Sequence, residues 1–306
     1  MAQSRTMSAE VDQRTTRIHA LLALHAAVVL FGFAGLFGKW LNVSPLVIVL
    51  GRTAIAALAL GIFRLAIVRL ATARVNAPAA GEPLDARLFA GGAVLAVHWL
   101  AFFAAIQVAS VAIGLLGFAS FPVFVLLLER ALLHRRWSGA ESAAALVVGA
   151  GLVLLVPEFS LANRTVQGLL LGIASGFTFA LLTVINRSLS PARTAVDLAF
   201  WQNLVAALCL LPVAIIAGAE PGSIGGRELA LLVVLGLACT ALAHSLFIRS
   251  LAVVSAHTAS VVAALEPVYG IALAWVLLGE APGARTVAGG ALIVGAAVMA
   301  SKRAAR

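Results

Sequence analysis

Glu266 lies in the apolar stretch Val261-Val262-Ala263-Ala264-Leu265-Glu266-Pro267-Val268-Tyr269, and Arg52 lies seven residues past Pro45 in another such stretch. A carboxylate set in hydrocarbon is costly and marks a substrate or ion pathway, because it can pair with a substrate ammonium or take up a proton. Its plain alternative is a protonated carboxyl that only donates a hydrogen bond between helices. The Arg52 guanidinium can hold a substrate carboxylate, or else snorkel to the surface or pair with a group elsewhere in the chain. His98 with Trp99, and Trp201 with Gln202 and Asn203, are the densest polar-aromatic groups away from the ends of apolar runs. Such rings can stack on a planar substrate while the amides orient it, although an aromatic packed in a core needs no ligand. His244 and Tyr269 join these candidates on the same terms, while His25, His134 and His257 do not. Pro122 and Pro267 each remove a backbone donor inside an apolar run and clash with the carbonyl four residues earlier, so both are candidate hinges.

Other chemistry is excluded by what these residues do not form. A Walker A phosphate loop and a His-Glu-x-x-His metal helix are both missing. The stretch nearest to a Gly-x-Ser-Gly nucleophile turn, Ile173-Ala174-Ser175-Gly176, has Ile173 where a glycine is needed. Cys209 and Cys239 lack any partner spacing, so neither a disulfide framework nor a thiolate site is expected. The chain therefore reads as a protein that is not an enzyme, with no catalytic residues, no metal and no cofactor.

The elements that must position the candidate residues follow from composition. Of 306 residues, 62% are hydrophobic and 11% charged, and the mean hydropathy is +1.08. Lipid is thus the solvent for most of the chain, and every backbone N–H and C=O in the hydrocarbon needs an internal partner, which leaves helices or closed barrels. The apolar runs are about 20 residues long without strand-like alternation, so the expected fold is an all-α membrane protein. Ten transmembrane helices are expected, near 18–40, 45–68, 88–108, 110–133, 139–156, 166–186, 194–217, 228–250, 257–278 and 284–301. The first run is too long for a signal-peptide core and reads as a span.

The net charge of +9 would suit nucleic acid, but the basic residues cluster at span ends with no aromatic interleaving, so no nucleic-acid partner is expected. With the N-terminus inside, sixteen Lys and Arg residues fall on the cytoplasmic side. Lys39, Arg164, Arg227 and Arg285 fall outside, and Arg52 alone lies within a span, which accounts for all 21. Both termini are then cytoplasmic. Self-comparison at a shift of 145 residues pairs Ser110 with Ser255 and Pro122 with Pro267, so the chain reads as one unit written twice, over 18–156 and 166–301. A five-span unit reverses its direction on repetition, giving a 5+5 inverted repeat. The basic connection His134-Arg135-Arg136-Trp137 of the first copy answers to Gly279-Glu280-Ala281-Pro282 in the second, which is not basic. Aligning Ile55-Ala56-Ala57-Leu58 with Val205-Ala206-Ala207-Leu208 sets Arg52 against Gln202.

Leu265-Glu266-Pro267, then Gly279-Glu280, then a final run carrying Gly289, Gly290 and Gly295 resemble the EamA family of the drug/metabolite transporter superfamily. Within it the chain looks most like the bacterial aromatic amino-acid exporters. The first copy departs from the pattern, with Phe121-Pro122 where the second has Glu266-Pro267. The resemblance implies a multi-pass protein of the bacterial cytoplasmic (inner) membrane, exporting amino acids or similar amphipathic metabolites by alternating access. Its partners would be a small-molecule substrate, the lipid bilayer and a coupling proton, with the oligomeric state left open. A multidrug-type exporter of lipophilic cations, with Glu266 as counter-charge, is the alternative within the superfamily, and an intramembrane enzyme the alternative outside it.

Overall fold

The computed structural model describes residues 2–72, 85–133, 139–156, 160–218 and 224–304, and among them there is no strand. The helices are α1 Ala2–Trp40, α2 Pro45–Thr72, α3 Ala86–Val108, α4 Val111–Phe118, α5 Phe121–Leu133, α6 Gly139–Leu155, α7 Arg164–Leu189 and α8 Ala195–Ile216. There follow α9 Gly226–Gly236, a π-helical segment Leu237–Leu242, α10 Ala243–Leu251, α11 Ala256–Ala263, α12 Glu266–Leu278 and α13 Ala284–Ala304. Read through their breaks, α4 with α5, α9 with α10, and α11 with α12, they form ten helical rods. Eight described stretches are long and apolar enough to cross a membrane, whereas the apolar parts of α6 and α13, Ser142–Leu155 and Ala284–Ala296, are shorter. Those two shorter helices pack on each other at a pair of glycines: a Cβ on Gly151 would lie 2.9 Å from the Gly289 carbonyl, and one on Gly289 would lie 2.8 Å from that of Gly151. Such contact lets backbones meet where lipid supplies no hydrophobic force between helices.

Local sequence sets the ends of these rods. Ser110 and Ser255 are extended N-caps whose hydroxyls accept from the N–H groups of Ile113 and Thr258, and Asn163 and Thr194 do the same for α7 and α8. Gly279 closes α12 in the left-handed conformation at φ 70°, which only glycine adopts without strain. Each of the four basic residues assigned above to the outer side donates to a backbone carbonyl near the C-terminal end of another helix. Lys39 Nζ reaches Ala109 O at 3.1 Å, Arg164 Nε reaches Val108 O at 2.8 Å, Arg227 Nη1 reaches Trp40 O at 3.0 Å, and Arg285 Nη1 reaches Val156 O at 3.5 Å. Carbonyls there lack intrahelical donors and carry the negative end of the helix dipole, which is why cations stay at these points. The connections 73–84 and 134–138, and with them Arg74 and the His134-Arg135-Arg136-Trp137 stretch, lie outside the described residues.

The 145-residue correspondence recurs in backbone hydrogen bonds. Ala119 N bonds Leu115 O as Ala264 N bonds Ser260 O, Ser120 N bonds Gly117 O as Leu265 N bonds Val262 O, and Val123 N bonds Ser120 O as Val268 N bonds Leu265 O. Both rods are therefore interrupted alike, α4 from α5 and α11 from α12. The prolines explain where. Pro122 and Pro267 fall in the first turn of α5 and α12, where a missing N–H costs nothing, and the residues four earlier, Phe118 and Ala263, are the last of α4 and α11. Each proline thus begins a new helix instead of bending a continuous one.

Candidate functional site

Each broken rod is met at backbone contact by a helix distant in the chain. A Cβ on Gly172 of α7 would lie 2.7 Å from Gly114 O and 3.0 Å from Gly117 Cα, so α7 crosses the first break at backbone contact. A Cβ on Gly32 of α1 would lie 3.0 Å from Gly270 N and 3.1 Å from Glu266 O, so α1 crosses the second in the same manner. The helix that opens each half therefore packs on the broken rod of the other half. Between the breaks lies a cavity walled by Arg52, His98, Trp99, His244, Glu266 and a set of phenylalanines. Its free volume is about 20 Å³, room for about one water, so in this conformation it has no space for a metabolite. Two larger grooves, of about 380 and 460 Å³, run between α12 and α13 and between α2 and α8, and neither contains a charged side chain.

Arg52 is 1% exposed. Its Nε donates to Thr240 Oγ1 at 2.9 Å and its Nη2 to Cys239 O at 3.0 Å, both in the π segment, while its Cζ stands 3.8 Å from the centroid of the Trp99 ring. The cation is thus paired with dipoles and a ring face. Glu266 lines the same cavity from the first position of α12, 3% exposed, where the helix N-terminus favours a negative group. No ion pair joins it to Arg52 among the described residues. His98 Nδ1 lies 3.0 Å from Ser175 O and 2.9 Å from Ser175 Oγ, and its ring lines the cavity. The ring stacks on Phe179 with centroids 4.8 Å apart. Phe179 is also the hub of an aromatic cluster: its centroid is 5.5 Å from Phe118, 5.0 Å from Phe121, 5.1 Å from Phe247 and 6.1 Å from Phe31.

Of the residues singled out from sequence, Arg52, His98, Trp99, His244 and Glu266 meet in this wall, and Trp201, Gln202, Asn203 and Tyr269 do not. Trp201 sits half-buried beside Phe200, with the Arg64 guanidinium 5.7 Å from its ring. Gln202 is wholly buried against Gly91 and donates to Asn186 Oδ1. Asn203 stands one layer behind the wall, its Nδ2 2.7 Å from Ala199 O and 3.4 Å from His244 Nδ1. Half-buried Tyr269 lies against Gly32 on the α1 crossing. Sequence reading missed the phenylalanines at 31, 102, 118 and 179, Ser175 and the π segment. Mid-run phenylalanines look like any core residue, but Thr240 in an otherwise apolar run was a readable signal.

The broken rods and backbone-contact crossings define a bundle of membrane-spanning helices around a buried polar-aromatic cavity. Residues 166–302 match the EamA-like transporter family. The expectation that the chain is not an enzyme agrees with this match to a transporter family. Over 181 residues it is 29% identical to the pseudopaline exporter CntI of Pseudomonas aeruginosa strain UCBPP-PA14, and equally to that of strain PAO1. These alignments cover 59% of this chain, which spans 62% of the length of the curated relatives it matches. The fold itself recurs in a solved crystal structure that aligns with 92% of this chain and 98% of its own, with a TM-score of 0.68 at 23% identity.

Proposed function

We propose that the chain is a secondary exporter of amphipathic metabolites of the amino-acid type, neutral or aromatic, in the cytoplasmic membrane. The observation that carries this reading is a buried arginine from the first half and a buried glutamate from the second, facing one aromatic-walled cavity between two matched helix breaks. A zwitterion presents a carboxylate for Arg52 and an ammonium for Glu266, and its side chain suits the phenylalanine cluster. The halves are taken as antiparallel across the bilayer with both termini cytoplasmic, and the cavity opens alternately to either face as the rods move at Pro122 and Pro267. Trp201, Gln202, Asn203 and Tyr269 support the wall from behind or join it in an opened conformation. Energy comes from a substrate or proton gradient. The similarity to pseudopaline exporters supports export of a metabolite rather than uptake.

One observation favours a second reading, an exporter of lipophilic cations: Glu266 makes no hydrogen bond and no ion pair within 4.0 Å among the described residues, and aromatic side chains share its cavity. Flux into proteoliposomes separates the two, measured over a panel of amino acids and a permanent aromatic cation, with and without a pH gradient. Saturable amino-acid flux is the expected result. Cation flux without amino-acid flux would replace the proposal by the second reading.

A further inference from the structure

The hydrogen bonds of Arg52 decide which part of its guanidinium can meet a ligand. Nε donates to Thr240 Oγ1 at 2.9 Å and Nη2 to Cys239 O at 3.0 Å. These two nitrogens share the side-on edge of the guanidinium plane, so that edge belongs to the protein. Nη1 has no hydrogen-bond partner among the described residues, and with the second proton of Nη2 it forms the end-on edge, whose two parallel N–H groups match a carboxylate. The bonds of Thr240 are equally determined. Its hydroxyl proton goes to Leu235 O at 2.7 Å, five residues earlier, which leaves an oxygen lone pair for Arg52 Nε–H. The spacing of five is that of the π segment, whose widened turn presents both the Thr240 hydroxyl and the Cys239 carbonyl to α2. The surrounding packing keeps them there. A Cβ on Gly236, at the start of this segment, would lie 2.7 Å from Ile55 Cγ2 and 3.3 Å from Arg52 O, so α9 and α2 touch at backbone distance just where the arginine leaves its helix. On the other side, the guanidinium Cζ stands over the Trp99 ring at 3.8 Å from its centroid and 5.2 Å from that of Phe103.

We infer that Thr240 is a positioning residue for substrate selectivity: by holding the side-on edge of Arg52 in the π segment, it turns the end-on edge toward the cavity and makes the carrier select substrates that bear a carboxylate. The inference rests on the exporter reading above and goes further by naming the substrate group and the residue that tunes its recognition. Arg52 touches the ligand, and Thr240 acts only through Arg52. Without the hydroxyl, Nε–H and Leu235 O both lose a buried partner, and the guanidinium must turn to regain one.

The test uses the full chain in detergent and in proteoliposomes, with Thr240→Val, Thr240→Ser and Thr240→Ala, each checked for monodisperse elution and helical circular dichroism. Thr240→Val keeps the shape and removes both hydrogen bonds, Thr240→Ser keeps both bonds, and Thr240→Ala stands in if the valine variant does not fold. Phenylalanine and phenylalaninamide are the probes, since they share a ring and an ammonium and differ in the carboxylate. Thr240→Val is expected to raise the KM for phenylalanine about tenfold and leave that for the amide within about twofold, with Thr240→Ser behaving as wild type. A second readout needs no transport: the tryptophan emission difference between the unmodified chain and Trp99→Phe reports the guanidinium lying on that ring. It should change in Thr240→Val and not in Thr240→Ser. Equal KM shifts for both probes, or an unchanged Trp99 signal, would overturn the role of Thr240. If neither probe is carried while the Trp99 signal still depends on Thr240, the exporter reading and its carboxylate selectivity fall, and only the anchoring of Arg52 stands.

Discussion

Gly172→Ala is the sharpest test of how the bundle is held around its cavity. The added Cβ would meet Gly114 O at 2.7 Å, Gly117 Cα at 3.0 Å and Phe118 N at 3.2 Å, all backbone atoms of α4. None can swing aside as a side chain would, so α7 must move off by about 0.7 Å to restore ordinary contact. Overpacking of this kind costs about 1–3 kcal/mol. A value near 2 kcal/mol is about thirtyfold in the folding equilibrium. Gly149→Ala is the control, because nothing lies within 4 Å of a Cβ there and the change should be neutral. Unfolding by sodium dodecyl sulfate in mixed micelles, followed by circular dichroism, would compare the two. The displaced helix carries Ser175 and Phe179, so His98 loses its fixed partners, and the flux of Gly172→Ala should fall beyond what its lowered stability accounts for. Equal midpoints for Gly172→Ala and Gly149→Ala would refute the backbone contact and with it the account of how the first break is braced.

Glu266→Gln keeps the size and helix position of the carboxylate and removes its charge; if Glu266 is also the proton site, gradient-driven accumulation should disappear while substrate exchange persists at a raised KM, and retained stimulation by a pH gradient would exclude it. Pro122→Ala and Pro267→Ala restore an N–H and remove the ring that would clash with the Phe118 and Ala263 carbonyls in a continuous helix, so the paired half-helices can fuse. Turnover should then slow several-fold with substrate binding within about twofold, and unchanged flux in both would leave the prolines as helix starters only. At the edge of the bundle, the hydrogen bond from Arg87 holds the Asp85 carboxyl below the usual carboxylate range. A carboxyl lowered in the folded state stabilises it above the ordinary carboxylate pKa, and that contribution is lost as the pH falls through the folded value. Arg87→Ala should therefore return the Asp85 titration toward its ordinary value in carboxyl NMR, and because the pair is exposed the thermal midpoint at neutral pH should stay unchanged.

Sequence alone determined what is local. Ser110 and Ser255 cap helices because a hydroxyl beside free N–H groups does so in any context. Pro122 and Pro267 mark the breaks because proline cannot donate, although the sequence suggested kinked rods and the structure separates the halves outright. The apolar runs followed from the need to satisfy backbone groups in lipid, with eight of the ten long enough in the described structure and α6 and α13 shorter. What sequence could not supply was which faces meet. In a soluble helix a polar face points away from the core and fixes its rotation, but here both the lipid and the neighbouring helices are apolar, so the pattern carries little rotational information. Trp201 therefore turns to Arg64 and Gln202 to Asn186, although both share a short stretch with Asn203, which backs the cavity wall. Arg52 and Thr240 are distant in the chain and share no motif, and their hydrogen bond exists only because one widened helical turn packs on a glycine crossing between α2 and α9.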